Sequence, residues 1–350
     1  MRIQTIFACL ALLLAAPLQA AVVLQYHHVS TETPASTSTS PGRFMMHLDH
    51  LDENGFDLVP LQDLVDLLVA GEPLPDKTAA ITFDDGYISI FDTAWPLLKE
   101  KGWPFTVFVN SEPHDQKKPL FMSWDQLREL HEYGATIANH SVSHPYLLQL
   151  LDGTGPSLGK DLVRHEINRA QSRIEAEMGE APMLFAYPFG EFNNTVLEVV
   201  GELGYAGFGQ QSGPLAPFND PRVLPRFPFG GSFGDRQDFA TKVNSLPMPL
   251  ADGADPVRWV SENGEELDDL VLTGPSVRPM LLLRFEDGFD TGRVNCFASR
   301  QGAIPLAAEN SWLRVQAEKP FSTGRSRYNC TASSGQRGRF YWYSQLWIVR

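Results

Sequence analysis

Ala79-Ala80-Ile81-Thr82-Phe83-Asp84-Asp85-Gly86 is a short apolar run that stops abruptly in two carboxylates and a glycine. A run of this length, closed by a turn signal, reads as a buried strand. Within a regular strand the adjacent acids would point to opposite faces. At a strand end followed by Gly86 the backbone can turn and bring both towards one cavity. Two like charges so placed repel each other, and a metal ion or basic partner offsets that repulsion. From these residues alone, capping of a following helix explains an Asp equally well.

Working outward, similar runs recur at Val22–His27, Phe56–Pro60, Phe105–Asn110, Thr136–His140, Met183–Tyr187 and Gly204–Phe208. Helical patterns separate them, clearest over Asp161–Met178, where Val163, Ile167, Ala170, Ile174 and Met178 recur on one face. Strand alternating with helix predicts parallel strands, in a closed barrel or an open doubly wound sheet. The barrel is favoured because His27, Asp84, Asp85, His140 and Phe189 all fall at or just after the C-terminal end of a predicted strand. In a barrel those ends converge on one face, where active sites are built.

The second feature is His140-Ser141-Val142-Ser143-His144. Two imidazoles this far apart can face one point if the segment coils, and neutral His is the commonest transition-metal ligand. Joined by one strand-end Asp they make three protein ligands, which leaves a position open, as in a catalytic site. A bound divalent ion lowers the pKa of water and polarises a carbonyl, so amide or ester hydrolysis follows as the reaction class, with the other Asp as base. For the leaving-group acid the best candidate is His27, because no histidine occurs after His165. Successive strand residues face opposite ways, so at most one of His27 and His28 should enter the barrel mouth. His47, His50, His131 and His165, in helical stretches, read as core or surface residues.

Taken together the chain resembles the polysaccharide deacetylase family, carbohydrate esterase family four. Thr82-Phe83-Asp84-Asp85-Gly86 matches its first motif, His140 to His144 its second, and Phe185-Ala186-Tyr187-Pro188-Phe189-Gly190 its third. The resemblance implies a distorted (β/α) barrel and removal of acetyl groups from glycans. It implies Asp84 as general base, Asp85, His140 and His144 as ligands of a divalent metal, commonly zinc, and the Phe189 N–H as an oxyanion donor. Many relatives steady the base with an arginine where this chain has Ala186, so another group must orient Asp84. Many also carry their acid in a late Leu-x-His motif. Tyr26-His27 instead resembles the early Tyr-His segment of exported poly-N-acetylglucosamine deacetylases of biofilm systems.

The ends of the chain add a compartment and a second domain. Arg2, the apolar run Ile6–Ala16 and the small-residue end Leu18-Gln19-Ala20 read as a signal peptide over residues 1–20, too short an apolar run to span a bilayer. Export predicts that Cys296 and Cys330 pair. The barrel is expected over 21–245 and a Pro-rich linker over 246–256. Over 257–350, short alternating runs separated by Gly, Ser and Asn read as a small all-β sandwich. Its cluster Phe340-Tyr341-Trp342-Tyr343 could stack on sugars or simply pack. With 28 Lys and Arg against 42 Asp and Glu, a net charge of −14 argues against a nucleic-acid partner. The expected partner is an acetylated polysaccharide, with N-acetyl groups of N-acetylglucosamine units favoured. An O-acetyl esterase acting on a polysaccharide such as xylan and a non-catalytic glycan-binding protein are the alternatives.

Overall fold

In the computed structural model, which describes residues 20–153, 155–252, 255–274 and 277–350, the run around Ile81 forms a strand, Thr78–Asp84, buried along its whole length. The expected leader lies, apart from Ala20, outside the described residues. The strands of the first unit's main sheet are β1 (Ala21–Tyr26), β2 (Asp57–Leu58), β3 (Thr78–Asp84), β4 (Thr106–Val109), β5 (Thr136–Asn139), β6 (Leu184–Ala186), β7 (Ala206–Phe208) and β8 (Phe227–Pro228), and His28–Val29 pairs with Ser38–Thr39 apart from it. Their hydrogen-bonded order is β8-β1-β3-β4-β5-β6-β7. Every pair is parallel. Parallel strands are covered on both faces, which is why β1 and β3 read as almost unbroken apolar runs.

The two ends of that order meet through one segment. On the β7 side Leu224 donates its N–H to the Gly207 carbonyl at 2.7 Å and accepts from the Gly209 N–H at 3.0 Å. On the β1 side Leu24 and Gln25 pair with Phe227 and Pro228. Residues 224–228 thereby curl the sheet into a distorted (β/α) barrel, and β8 is a stave the periodicity did not reveal. The run Phe56–Pro60 differs from expectation in the other direction. Only Asp57 and Leu58 pair, at the foot of β3, because Pro60 has no N–H to donate and the chain turns into a helix, Leu61–Ala70.

The helix read over Asp161–Met178 starts earlier, at Pro156 in the first helical position, and is labelled α1 (Pro156–Met178). Val163, Ile167, Ala170 and Ile174 are fully buried, as their spacing requires.

The second unit contains β9 (Leu246–Pro247), β10 (Val257–Val260), β11 (Val271–Leu272), β12 (Met280–Leu283), β13 (Val294–Ala298), β14 (Gly302–Ile304), β15 (Leu306–Glu309), β16 (Trp312–Gln316), β17 (Gly324–Ser333) and β18 (Phe340–Val349). One sheet runs β9-β18-β17-β13-β14 with β11 beside β18, the other β10-β12-β16-β15. Cys296 and Cys330 are disulfide-bonded across directly paired positions of β13 and β17. The Pro-rich stretch does not hang free at its start, since Leu246 and Pro247 pair with Tyr341 and Trp342 of β18.

The two units share a core. Leu272, Trp347 and Val349 belong to the same apolar cluster as Val163, Phe192 and Val196 of the barrel's outer layer. Arginines of the β domain reinforce the contact: Arg339 forks onto Asp76 at 2.6 and 2.8 Å, and Arg350 reaches Asp152 at 2.9 Å.

Candidate active site

At the end of β3 the backbone turns sharply, with Asp85 and Gly86 both at φ 73°. A side chain at position 86 would meet His114 Cε1 at 2.7 Å, so only glycine lets the turn close here. The turn sends the two carboxylates to different partners.

Asp85 faces the histidines. Its Oδ1 lies 3.4 Å from Nε2 of His140 and 3.4 Å from Nε2 of His144. One ligand atom from each of the three residues falls within a 4.8 Å cluster. Nδ1 of His140 lies 2.7 Å from the Ala186 carbonyl, a contact that keeps a proton on Nδ1 and makes Nε2, which faces Asp85, the atom that would ligate after giving up its own proton. Burial alone would raise the Asp85 carboxyl, but the hydrogen bond to His140 and the charges of His27, His140 and His144 hold it well below the usual range. Burial and the His140 charge push His144 down to about 4, so its imidazole is neutral at pH 7, as a ligand must be.

The segment carrying these histidines is held by groups outside the motif. Asn139 accepts from the Ser141 N–H at 2.9 Å, and Ser141 Oγ accepts from the His144 N–H at 3.1 Å. Glu166 of α1 accepts from the Val142 and Ser143 N–H groups at 3.1 and 3.0 Å. These bonds sustain left-handed backbone at Ser141, φ 70°, and at His144, φ 56°.

Asp84 faces the other way, into the barrel. Arg226, in the closing segment, donates to Oδ1 at 2.7 Å and to Oδ2 at 2.8 Å, and neither side chain has any exposure. Gln25 of β1 donates to Oδ2 at 2.5 Å. Arg226 is fixed in turn by the Gly209 carbonyl at 3.0 Å and Thr82 Oγ1 at 3.2 Å. Burial would raise the Asp84 carboxyl, but Arg226, His140 and His27 outweigh it and keep the carboxylate ionised. Arg226 thus does for Asp84 what the absent arginine at position 186 could not. Its signal was present in Leu224-Pro225-Arg226-Phe227-Pro228-Phe229, because a charged residue set in an apolar run is buried only when paired. Gln25, the polar residue in a buried strand, gave the same kind of signal.

The adjacent histidines separate as strand alternation requires. His28 is buried and stacks on Tyr87 with centroids 3.6 Å apart. His27 is half-buried, and its charge contributes to lowering both Asp84 and Asp85, which puts it at the same mouth. Phe189 occupies left-handed backbone, φ 58°, with its ring stacked on Tyr146 at 3.9 Å and 4.4 Å from the His144 ring. Arg325 of β17 donates to the Phe189 carbonyl and to Gln210 Oε1, the latter at 3.0 Å. A strand of the β domain therefore grips the loop at the barrel rim. The bland reading of His47 also holds, since it is buried between Tyr26 Oη at 3.0 Å and the Gly234 carbonyl at 2.7 Å.

Comparison with known proteins places this geometry. The family model described as polysaccharide deacetylase matches residues 71–208. The chain is 27% identical over 241 residues to the poly-beta-1,6-N-acetyl-D-glucosamine N-deacetylase of Escherichia coli (strain K12), a match covering 59% of this chain and 36% of that protein. It is 25% identical over 183 residues to YxkH of Bacillus subtilis (strain 168), covering 52% of this chain and 61% of the relative. The chain therefore spans less than two thirds of the length of either. Among solved structures, IcaB from Ammonifex degensii superposes with a TM-score of 0.54 at 27% identity, over 60% of this chain and 92% of that one. The family match ends before Arg226 and before the β domain begins.

Proposed function

We propose that this chain, whose residues 71–208 belong to the polysaccharide deacetylase family, is an exported deacetylase that hydrolyses acetamide groups on N-acetylglucosamine units of a glycan. The observation that carries the proposal is the division of labour between neighbouring carboxylates, one buried and clamped by Arg226 and Gln25, the other facing two imidazoles. The activity for which the Escherichia coli relative is named supports the choice of substrate. The Cys296–Cys330 disulfide supports an oxidising compartment, in line with the expected leader. No helix among the described residues is long and apolar enough to cross a membrane.

Asp85, His140 and His144 fit a divalent ion, and two imidazoles with one carboxylate suit zinc. Such an ion supplies Lewis-acid polarisation of the acetyl carbonyl and a lowered pKa for water. Asp84, kept ionised and immobile, accepts the proton of the attacking water. The Phe189 N–H, on a backbone already fixed in its unusual conformation, donates to the oxyanion as charge develops. His27 gives a proton to the departing sugar amine, so that acetate and a free amine leave.

The test is acetate release by the mature chain from N-acetylglucosamine oligomers and from acetylated xylan, each with zinc and with chelator. Zinc-dependent release from the amino-sugar oligomers is expected. Release from xylan alone would replace the reading by an O-acetyl esterase, and release from neither would overturn it in favour of a glycan-binding protein.

A further inference from the structure

A cavity of about 960 Å³ lies between the outer wall of the barrel and the β domain. It is separate from the catalytic rim, since none of His27, Asp84, Asp85, His140, His144 and Phe189 lines it. One wall is the irregular stretch between β7 and β8, and the other is formed by β18 and the chain around β9. Its size falls at the upper end of ordinary ligand pockets, and a junction between units is a common place for one.

The lining combines aromatic faces with carboxylates that stand outside any ion pair of the described residues. Phe218 stands at the cavity with 40% of its surface exposed and its ring 6.5 Å from that of Tyr343, and Tyr341 and Trp342 of β18 line the cavity as well, each half-buried. Two polar tips on this wall are already satisfied. Gln345 Oε1 accepts from Tyr343 Oη at 3.1 Å and from Trp259 Nε1 at 2.9 Å, which holds both rings without spending a ligand's hydrogen bonds. The one cationic side chain of the lining, Arg222, is consumed by Asp220 at 2.6 Å. Asp252, Asp255 and Glu286 are exposed and enter no ion pair among the described residues. A site of this character selects a ligand with flat apolar faces and several positive charges.

We propose that this cavity is a second glycan site, which binds amino-sugar oligomers in their de-N-acetylated, cationic form. The inference rests on the proposed function, because deacetylation converts a neutral sugar into an ammonium-bearing one. Pyranose C–H faces would lie on the Phe218 and β18 rings, while ammonium groups approach Asp252, Asp255 and Glu286. The chain would then retain its own product beside the barrel and act on stretches already partly deacetylated.

The test is equilibrium titration of the mature chain with glucosamine oligomers and with N-acetylglucosamine oligomers of equal length, at low and high salt. Glucosamine oligomers are expected to bind more tightly and to weaken as salt rises. The triple variant Asp252→Asn/Asp255→Asn/Glu286→Gln should lose about tenfold in affinity, and Phe218→Ala should weaken binding at every salt concentration. These substitutions remove no ion pair of the described residues, and an unchanged unfolding midpoint verifies that the fold is intact. Equal affinity for both oligomers, or unaltered affinity in the triple variant, would overturn the proposal. Acetate release by the unsubstituted chain is scored separately. Release without amine-selective binding sinks the second site alone, whereas selective binding without release upholds the site and sinks the catalytic reading.

Discussion

The barrel and the β domain both bury their strands thoroughly, yet they differ in where the backbone leaves its ordinary conformations. In the barrel, Lys77 and Lys117 take positive φ in exposed turns, but Asp85, Ser141, His144 and Phe189 take it at one mouth, where all are buried or half-buried. In the β domain the non-glycine residues with positive φ, Asp255, Arg300 and Asn310, lie in exposed connections. Left-handed backbone costs on the order of 1 kcal/mol or more per residue and persists only where its surroundings enforce it. At the mouth those surroundings are visible as Asn139, Glu166, the Gly86 turn and Arg325. Left-handed backbone held in the interior, rather than strain alone or burial alone, marks this mouth off from the rest of the molecule.

The largest effect is expected at Arg226. Arg226→Met leaves Asp84 buried without its cation, so acetate release should fall about a hundredfold and stability by roughly 3–5 kcal/mol. Arg226→Lys should restore only part of the activity, because a point charge cannot fork onto both carboxylate oxygens. Wild-type kcat in Arg226→Met would mean that Asp84 needs no orienting partner. Removing the disulfide with Cys296→Ser/Cys330→Ser should cost about 3 kcal/mol in denaturant unfolding while leaving acetate release per folded molecule intact. A loss of specific activity would show that the disulfide is needed to hold Arg325 of β17 against the Phe189 loop.

His47 offers a barrel-specific pH test. Burial, opposed by its bond to Gly234, lowers this imidazole to about 4. The unfolded chain therefore binds the proton more readily than the folded one between pH 4 and about 6.5, and stability should rise with pH across that window. Thermal unfolding should show a contribution of up to about 3 kcal/mol lost on acidification, and His47→Gln should flatten that part of the curve. An unaltered profile would mean that His47 is protonated in the folded barrel. The smallest effect is expected at Arg325. Arg325→Ala should lower kcat about tenfold with KM nearly unchanged, since it frees the Phe189 carbonyl without touching a sugar site. An equal rise in KM would place Arg325 against substrate instead.

Much of this was legible in the residues, for identifiable reasons. β1 and β3 appear as apolar runs because parallel strands are covered on both faces, and α1 appears through its buried stripe of Val163, Ile167, Ala170 and Ile174. That His140 and His144 meet a strand-end Asp was legible because strand ends converge in a barrel, whereas the choice of Asp85 over Asp84 came only from the family resemblance. The closing strand β8 was not legible, since a two-residue pairing that itself contains Pro228 carries no period. Arg226 was missed for the same reason. It reaches Asp84 from 142 positions away, along a stretch whose only regularity is its apolar flanks. The grip of Arg325 on the Phe189 loop depends on how two units dock, which no local pattern encodes.

The central claim is that Asp84 and Asp85, adjacent in sequence, have been given different work. It is tested most directly by titrating zinc into Asp84→Asn and Asp85→Asn side by side while measuring acetate release from an N-acetylglucosamine oligomer. Asp84→Asn should bind zinc with nearly wild-type affinity yet release acetate at least about a hundredfold more slowly, and Asp85→Asn should lose both zinc and activity. Loss of zinc in Asp84→Asn, or full activity in either variant, would contradict the division.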